Sequence, residues 1–203
     1  MSNRHLILVL LSILILTFCG CQTIGHPNRI SVAYTPEPPW LYKVPDASQG
    51  YVYFVGRSQG TANEKLSLED ARKDAASQAL VYLGGFAKQD FEERRLSLNL
   101  SSATLDPTTG ASNYQHFVNE NFISLMLSKE NYWEIRRTPG GDQYFSYVLM
   151  PFPINQSLKS FSAQQLDEAK QRVRDAQTDA AKKQAQDVVD FWEKTQSVFA
   201  RTQ

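Results

Sequence analysis

Tyr51-Val52-Tyr53-Phe54-Val55-Gly56-Arg57-Ser58-Gln59-Gly60-Thr61 is the stretch that decides the fold. Its first five residues are aromatic or β-branched and end at a glycine, the composition of a buried strand. A polar turn follows at 57–61. Beyond it, Leu68, Ala71, Ala75, Ala79 and Leu83 recur at spacings of three and four, which sets them on one face of a helix over 66–83. Much of that face is alanine. Small side chains let a helix lie close against a sheet, so this is the packing helix of a domain, with Ser67 and Asp70 placed to help cap its start. Gly84-Gly85 predicts an end or a kink, after which Phe86, Phe91 and the charged residues 92–95 predict that the helix resumes.

The partner strands lie downstream. Residues 132–138 and 143–152 flank Pro139-Gly140-Gly141-Asp142, a connection dense in turn formers, and predict a hairpin. The second strand carries Phe145, Tyr147 and Leu149 on one face and Tyr144, Val148 and Met150 on the other. Two apolar faces predict a central strand, closed by Pro151 and Pro153. Between helix and hairpin, 99–113 is polar and contains Asp106-Pro107 and Gly110, which predicts a flexible loop. Phe117, Val118, Phe122, Leu125 and Met126 then fit a helix.

Residues 162–200 lack Gly and Pro and are rich in Ala, Gln and charge. Leu166, Ala169, Val173, Ala176 and Ala180 step by three and four, and the register slips by one to Ala181, Ala185, Val188 and Trp192. Such a slip resembles a coiled-coil stutter and predicts one long helix. Its stripe is narrow, so it either packs back on the domain or pairs with another helix; pairing is the favoured expectation. Val188, Phe191 and Trp192 are the candidate interaction residues, for an envelope partner or a second copy.

At the other end, a short charged start with Arg4 precedes an apolar run over 6–18 and then Cys19-Gly20-Cys21. The run fits a secretory leader and falls short of the roughly 20 residues of a membrane span. Its ending resembles a bacterial lipobox. Phe18 is too bulky to precede the acylated cysteine, so Cys21 is the expected lipidation site. Gln22 after it resembles the pattern sorted to the outer membrane. The expected organisation is a leader over 1–20, a Pro-rich tether over 21–37, a domain over 38–153 and a C-terminal helix over 154–203. Trp40 is more apolar than a spacer needs and is expected to dock on the domain.

Composition narrows the function. The chain balances 21 Lys and Arg against 21 Asp and Glu, and loss of Arg4 with the leader leaves one fewer cation. Near-neutrality without a basic cluster argues against nucleic acid, whose phosphates need concentrated Lys and Arg. The membrane is expected as a partner through the lipid. With Cys19 removed and Cys21 acylated, no thiol is left for a disulfide, a nucleophile or a metal, and His26 and His116 stand far apart. No cofactor or metal is expected. The 56–60 loop lacks the third glycine of a dinucleotide fingerprint and the Lys of a P-loop, and reads as a turn. Glu92-Glu93 and Asp167-Glu168 read as solvated carboxylates, His116 carries no triad, and no Gly-x-Ser-x-Gly is present. Catalysis is not expected.

Pro39-Trp40, Tyr53-Phe54-Val55-Gly56-Arg57-Ser58, the alanines at 71, 75 and 79, and Tyr132-Trp133-Glu134 with 144–151 together resemble the LPP-twenty-type family of small bacterial outer-membrane lipoproteins. The N-terminal domain of a flagellar outer-membrane ring protein is similar. The resemblance covers about 38–153. It implies a compact α+β domain on the envelope, associated with surface antigens and flagellar or envelope assembly, with no catalytic residues. The chain departs from it in the C-terminal helix and the 99–113 loop. The expected fold is a two-layer α+β domain, a small mostly antiparallel sheet on an Ala-rich helix, followed by a long C-terminal helix. The expected role is that of a non-catalytic outer-membrane lipoprotein, a scaffold or interaction partner in an envelope or flagellar assembly. The alternative is a periplasmic regulatory or binding lipoprotein, such as an activator of a cell-wall enzyme or a binder of an envelope polymer.

Overall fold

A computed structural model of the chain describes residues 36–123 and 126–200. The leader, Cys21, most of the tether and Leu125 lie outside the described residues.

The strand, the hairpin and the Ala-rich helix form the expected α+β arrangement. Strands β1 (Val52–Arg57), β2 (Glu130–Thr138) and β3 (Gly141–Phe152) make one antiparallel sheet in the order β1-β3-β2. The hairpin turns at Pro139-Gly140, and β3 is central, as its two apolar faces require. Pro151 does not close it: it lies within the strand opposite Tyr53, and Pro153 is the stop.

Helix α1 runs unbroken from Glu64 to Ser97, straight through Gly84-Gly85. Asn63 caps it, its side chain accepting from the N–H groups of Lys65 and Leu66 at 2.8 and 3.3 Å. Ser67 has a different task. Its hydroxyl donates to the Tyr144 carbonyl at 3.0 Å and bonds to the Ser58 hydroxyl at 2.8 Å, while Ser58 Oγ accepts the Ser146 N–H at 2.8 Å. This buried chain of hydroxyls ties the end of β1 and the start of α1 to β3.

Ala71, Ala75, Ala79, Leu83 and Ala87 are fully buried along one face of α1. Their smallness permits a second contact, along the free edge of β1. Asp74 accepts the Arg57 N–H at 2.9 Å, Asp70 accepts the Gln59 N–H at 3.1 Å, and Gln78 Nε2 donates to the Val55 carbonyl at 3.2 Å. Residues 70, 74 and 78 are one helical turn apart, so a single polar row covers an edge that would otherwise invite another strand. Asp70→Ala combined with Asp74→Ala is expected to lower stability by about 1–3 kcal/mol, since two exposed hydrogen bonds of about 0.5–1.5 kcal/mol net each are lost. Urea unfolding measures this; an unchanged midpoint would mean that water replaces both carboxylates at no cost.

The 99–113 segment is not a loop throughout. Helix α2 (Pro107–Asn121) starts inside it, with Asp106 as N-cap accepting from the N–H groups of Thr108 and Thr109 at 3.1 and 3.2 Å. The Asp-Pro pair that reads as a turn is here a cap followed by the first helical residue, where proline has no N–H to lose. The capping bonds, with the Thr109 hydroxyl foremost, hold the Asp106 carboxyl below its usual range.

The single C-terminal helix is also corrected. Helix α3 (Ile154–Asp175) stops, the backbone at Ala176 turns extended, and helix α4 (Asp179–Ala200) begins. Thr178 caps the restart, its Oγ accepting the Ala181 N–H at 3.2 Å. The two helices fold back on each other, bringing Phe161 and Trp192 ring to ring at 5.6 Å, and the main core continues across Phe152 into both. The boundary expected at 153 has no counterpart in the packing. The first half of α1 lies on the sheet, and its second half carries Phe91 into the ring cluster made by α2, α3 and α4.

Candidate functional site

Cys21 lies outside the described residues. Phe191 and Trp192 do not form an exposed contact point: they are 0% and 3% exposed, packed on Phe91 at 6.3 and 5.4 Å. Their role as interaction residues is corrected by that burial, because an aromatic pair already enclosed by its own domain offers no surface to a partner. Val188 is half-buried and packs against the same core. The slip in the apolar stripe, at Ala180-Ala181, lies in the first turn of α4, just past the break at 176–178 where the chain turns back.

Of the carboxylates read as solvated, Glu93, Asp167 and Glu168 are exposed, and Glu92 is half-buried in an ion pair. Arg95 bonds Glu92 through two nitrogens at 2.7 and 2.9 Å and holds its carboxyl below the usual range. Glu93 accepts from Gln89 at 3.0 Å, and Glu168 faces Arg172 along the same helix. His116 meets Glu120 one turn away at 3.1 Å on an exposed surface. The 56–60 turn cannot cradle an anion. Its donors at 57 and 59 are taken by Asp74 and Asp70, whose carboxylates stand where a phosphate would have to sit.

A different place gathers chemistry. Alternate residues of the strands point away from α1, and a second, smaller apolar cluster forms there from Trp40, Val55, Tyr132 and Leu149. Trp40 sits in a 3-10 turn, Pro39–Leu41, laid across this outer face as a strap. Its indole Nε1 donates to Glu130 at 2.6 Å, so the expected docking of Trp40 on the domain is present.

Beside the docked indole is a cleft of about 300 Å³ lined by Glu37, Tyr42, Arg57, Tyr132, Glu134 and Tyr147. Register explains the wall: Tyr132 is opposite Tyr147 across the β2–β3 ladder, with the rings tilted at 5.8 Å. Glu134 is 2% exposed, a buried carboxylate beside the apolar cluster under the strap. It is neutralised by Arg136, which binds one of its oxygens through Nε and Nη2, and the Tyr147 hydroxyl donates to the same oxygen at 3.4 Å. Arg136 in turn lies over the Phe145 ring at 3.9 Å, so its position is fixed from both sides. Tyr42 donates to Glu37 within the strap. Arg57 reaches the Leu41 carbonyl at 3.5 Å and forms no salt bridge among the described residues.

None of these cleft residues belongs to a motif that marks a site in the sequence. The one available signal is the alternation Tyr132-x-Glu134-x-Arg136 on an edge strand, where plain solvation would ask for no tyrosine. The other half of the cleft comes from a distant segment, Trp40 and Glu130 being 90 residues apart. No family model matches the chain, and no curated protein or solved structure is detectably similar to it. No helix among the described residues is long and apolar enough to cross a membrane.

Proposed function

We propose that this chain is a non-catalytic lipoprotein, anchored in the outer membrane through Cys21, that holds a component of the envelope against the outer face of its sheet. One observation carries the reading: Glu37, the last residue of the tether, and Leu41 and Tyr42 just after it form one wall of the cleft. Whatever fills it is held where the anchor joins the domain. From Cys21 to Trp40 the extended chain reaches at most about 65 Å, which bounds how far from the lipid surface the cleft can act. Fixed tyrosines, a buried ion pair and an exposed guanidinium suit recognition, and the reading assigns no nucleophile or proton-transfer pair to them.

A scaffold role keeps a specific observation of its own. On α1, Val81 and Tyr82 are 73% and 46% exposed, and Tyr82 stacks on Phe86 at 6.2 Å, an apolar patch of the kind that meets another protein. A photo-crosslinking residue placed at Tyr42, Val81 or Lys183 in intact cells separates the possibilities. The expected result is a discrete adduct from Tyr42, in the membrane fraction, that is lost when Cys21→Ser prevents anchoring. Adducts from Val81 alone would favour the scaffold, and adducts from Lys183 alone would return the contact to the C-terminal helices.

A further inference from the structure

We infer that the outer-face cleft binds a pyranose ring of an uncharged stretch of glycan, with the strap as its movable wall; this rests on the outer face being the contact surface. Three features of the cleft select this ligand class. The first is charge. Glu37 and Glu134 are balanced by Arg57 and Arg136, so the site carries two charges of each sign. A phosphate, a lipid headgroup or a peptide carboxylate drawn to Arg57 would sit beside two carboxylates, and an ammonium drawn to the carboxylates would sit beside Arg57. A neutral polyol avoids both penalties and uses both kinds of group.

The second feature is donor and acceptor pattern. Glu37 accepts and Arg57 donates, while the hydroxyls of Tyr42 and Tyr147, which donate to Glu37 and Glu134, offer their oxygens as acceptors. Neighbouring hydroxyls of a sugar, each donor and acceptor, can satisfy such a mixed wall in one orientation. The third is the aromatic surface. Tyr132 is buried with Trp40 and backs Tyr147 across the cross-strand register, so the ring surfaces open to a ligand are those of Tyr147, held in place, and Tyr42, offered from the strap and 77% exposed. Aromatic planes take the C–H face of a pyranose while their polar tips reach its hydroxyls. The cleft volume is at the small end of the roughly 300–1,000 Å³ typical of ligand sites, which fits one or two rings and not a folded protein.

The strap gives the site a coupling. Because Glu37, Leu41 and Tyr42 line the cleft only while Trp40 is docked, a bound sugar must favour the docked strap, and undocking must weaken binding by the same factor. The tether and the ligand are thereby linked through one indole.

The test uses the full-length chain in detergent, titrated calorimetrically with two uncharged probes, N-acetylglucosamine oligomers standing for the cell-wall backbone and a neutral hexose oligosaccharide standing for the polysaccharide of lipopolysaccharide. Binding of either supports the inference, and the pair tells which polymer supplies the ring. Tyr42→Ala combined with Arg57→Ala changes two exposed side chains, and should weaken binding about tenfold or more without moving the melting temperature. Trp40→Phe, which keeps a ring in the pocket but removes the bond to Glu130, should weaken it by a smaller factor. No heat with either probe at millimolar concentration, or binding untouched by the double replacement, overturns the inference. If glycan fails while Tyr42 still crosslinks to a protein, the ligand class alone is wrong. If both fail, the outer face is not the contact surface.

Discussion

A chain ended after Phe152 is expected to lose cooperative unfolding altogether. The removed residues include Leu158, Phe161, Leu166, Phe191 and Trp192, all within the main core. Fully burying a side chain of this size contributes roughly 1.5–3 kcal/mol, so their joint loss is on the order of 10 kcal/mol, comparable with the whole stability of a typical domain at about 5–15 kcal/mol. The remaining half suffers as well. Phe91 loses Phe161 at 6.1 Å and Trp192 at 5.4 Å, and Tyr114 loses both the Phe161 ring at 5.3 Å and its hydroxyl partner Ser157. That phenol is buried deeply enough for desolvation to push its proton affinity far above the ordinary tyrosine range, and truncation removes both the Phe161 ring that covers it and its hydroxyl partner. Thermal melting followed in the near ultraviolet, with dye binding to exposed apolar surface, checks this. The truncated chain should give a sloping trace and bind dye, and the full chain a single sharp transition. A sharp transition in both would show that the sheet and the first half of α1 are a sufficient core.

That result would mark where reading the sequence succeeds and where it stops. β1, the alanine face and the β2–β3 hairpin are legible because their signals are local: aromatic and β-branched runs, a three-and-four spacing, a Pro-Gly turn. Two local signals point to the wrong element. Asp106-Pro107 serves a turn and a helix start equally well, and only the apolar Ala111, Tyr114 and Val118 that follow, all buried, decide for the helix. The break at 176–178 has neither Gly nor Pro; its marks are Arg172 and Arg174 ending one helix and Thr178-Asp179 capping the next. Without that break, Phe191 and Trp192 point away from the domain, and with it they return to its centre. The cleft is not legible at all. It joins a strap near position 40 to strands beyond 130, and no local pattern at either end reports that Trp40 bonds Glu130.

Gly56→Val is expected to be the most damaging single substitution on the sheet side, and Gly85→Ala to have the opposite sign. Gly56 lies inside β1 with an ordinary strand backbone, so the requirement is for space and not for a left-handed conformation. A Cβ built there would stand 2.7 Å from the Ala75 nitrogen and 2.8 Å from the Ala75 Cβ, and would overlap the Ala71 carbonyl oxygen outright. Overpacking a core costs about 1–3 kcal/mol when side chains can give way. Here the obstacle is helix backbone, so α1 itself must move off the sheet. Moving it lengthens the bonds from Asp70, Asp74 and Gln78 to the edge of β1, each contributing about 1 kcal/mol. A loss of about 3 kcal/mol or more is therefore expected for Val, and somewhat less for Ala. Gly85 is in the same helix with nothing within 4 Å of its would-be Cβ, and Ala there should stabilise by about 0.5–1 kcal/mol through helix propensity. Urea midpoints for the three variants decide the matter. If Gly56→Ala proves as stable as Gly85→Ala, the close approach of α1 to β1 is not what the alanine face is for, and the polar row along the edge must hold the helix at a greater distance.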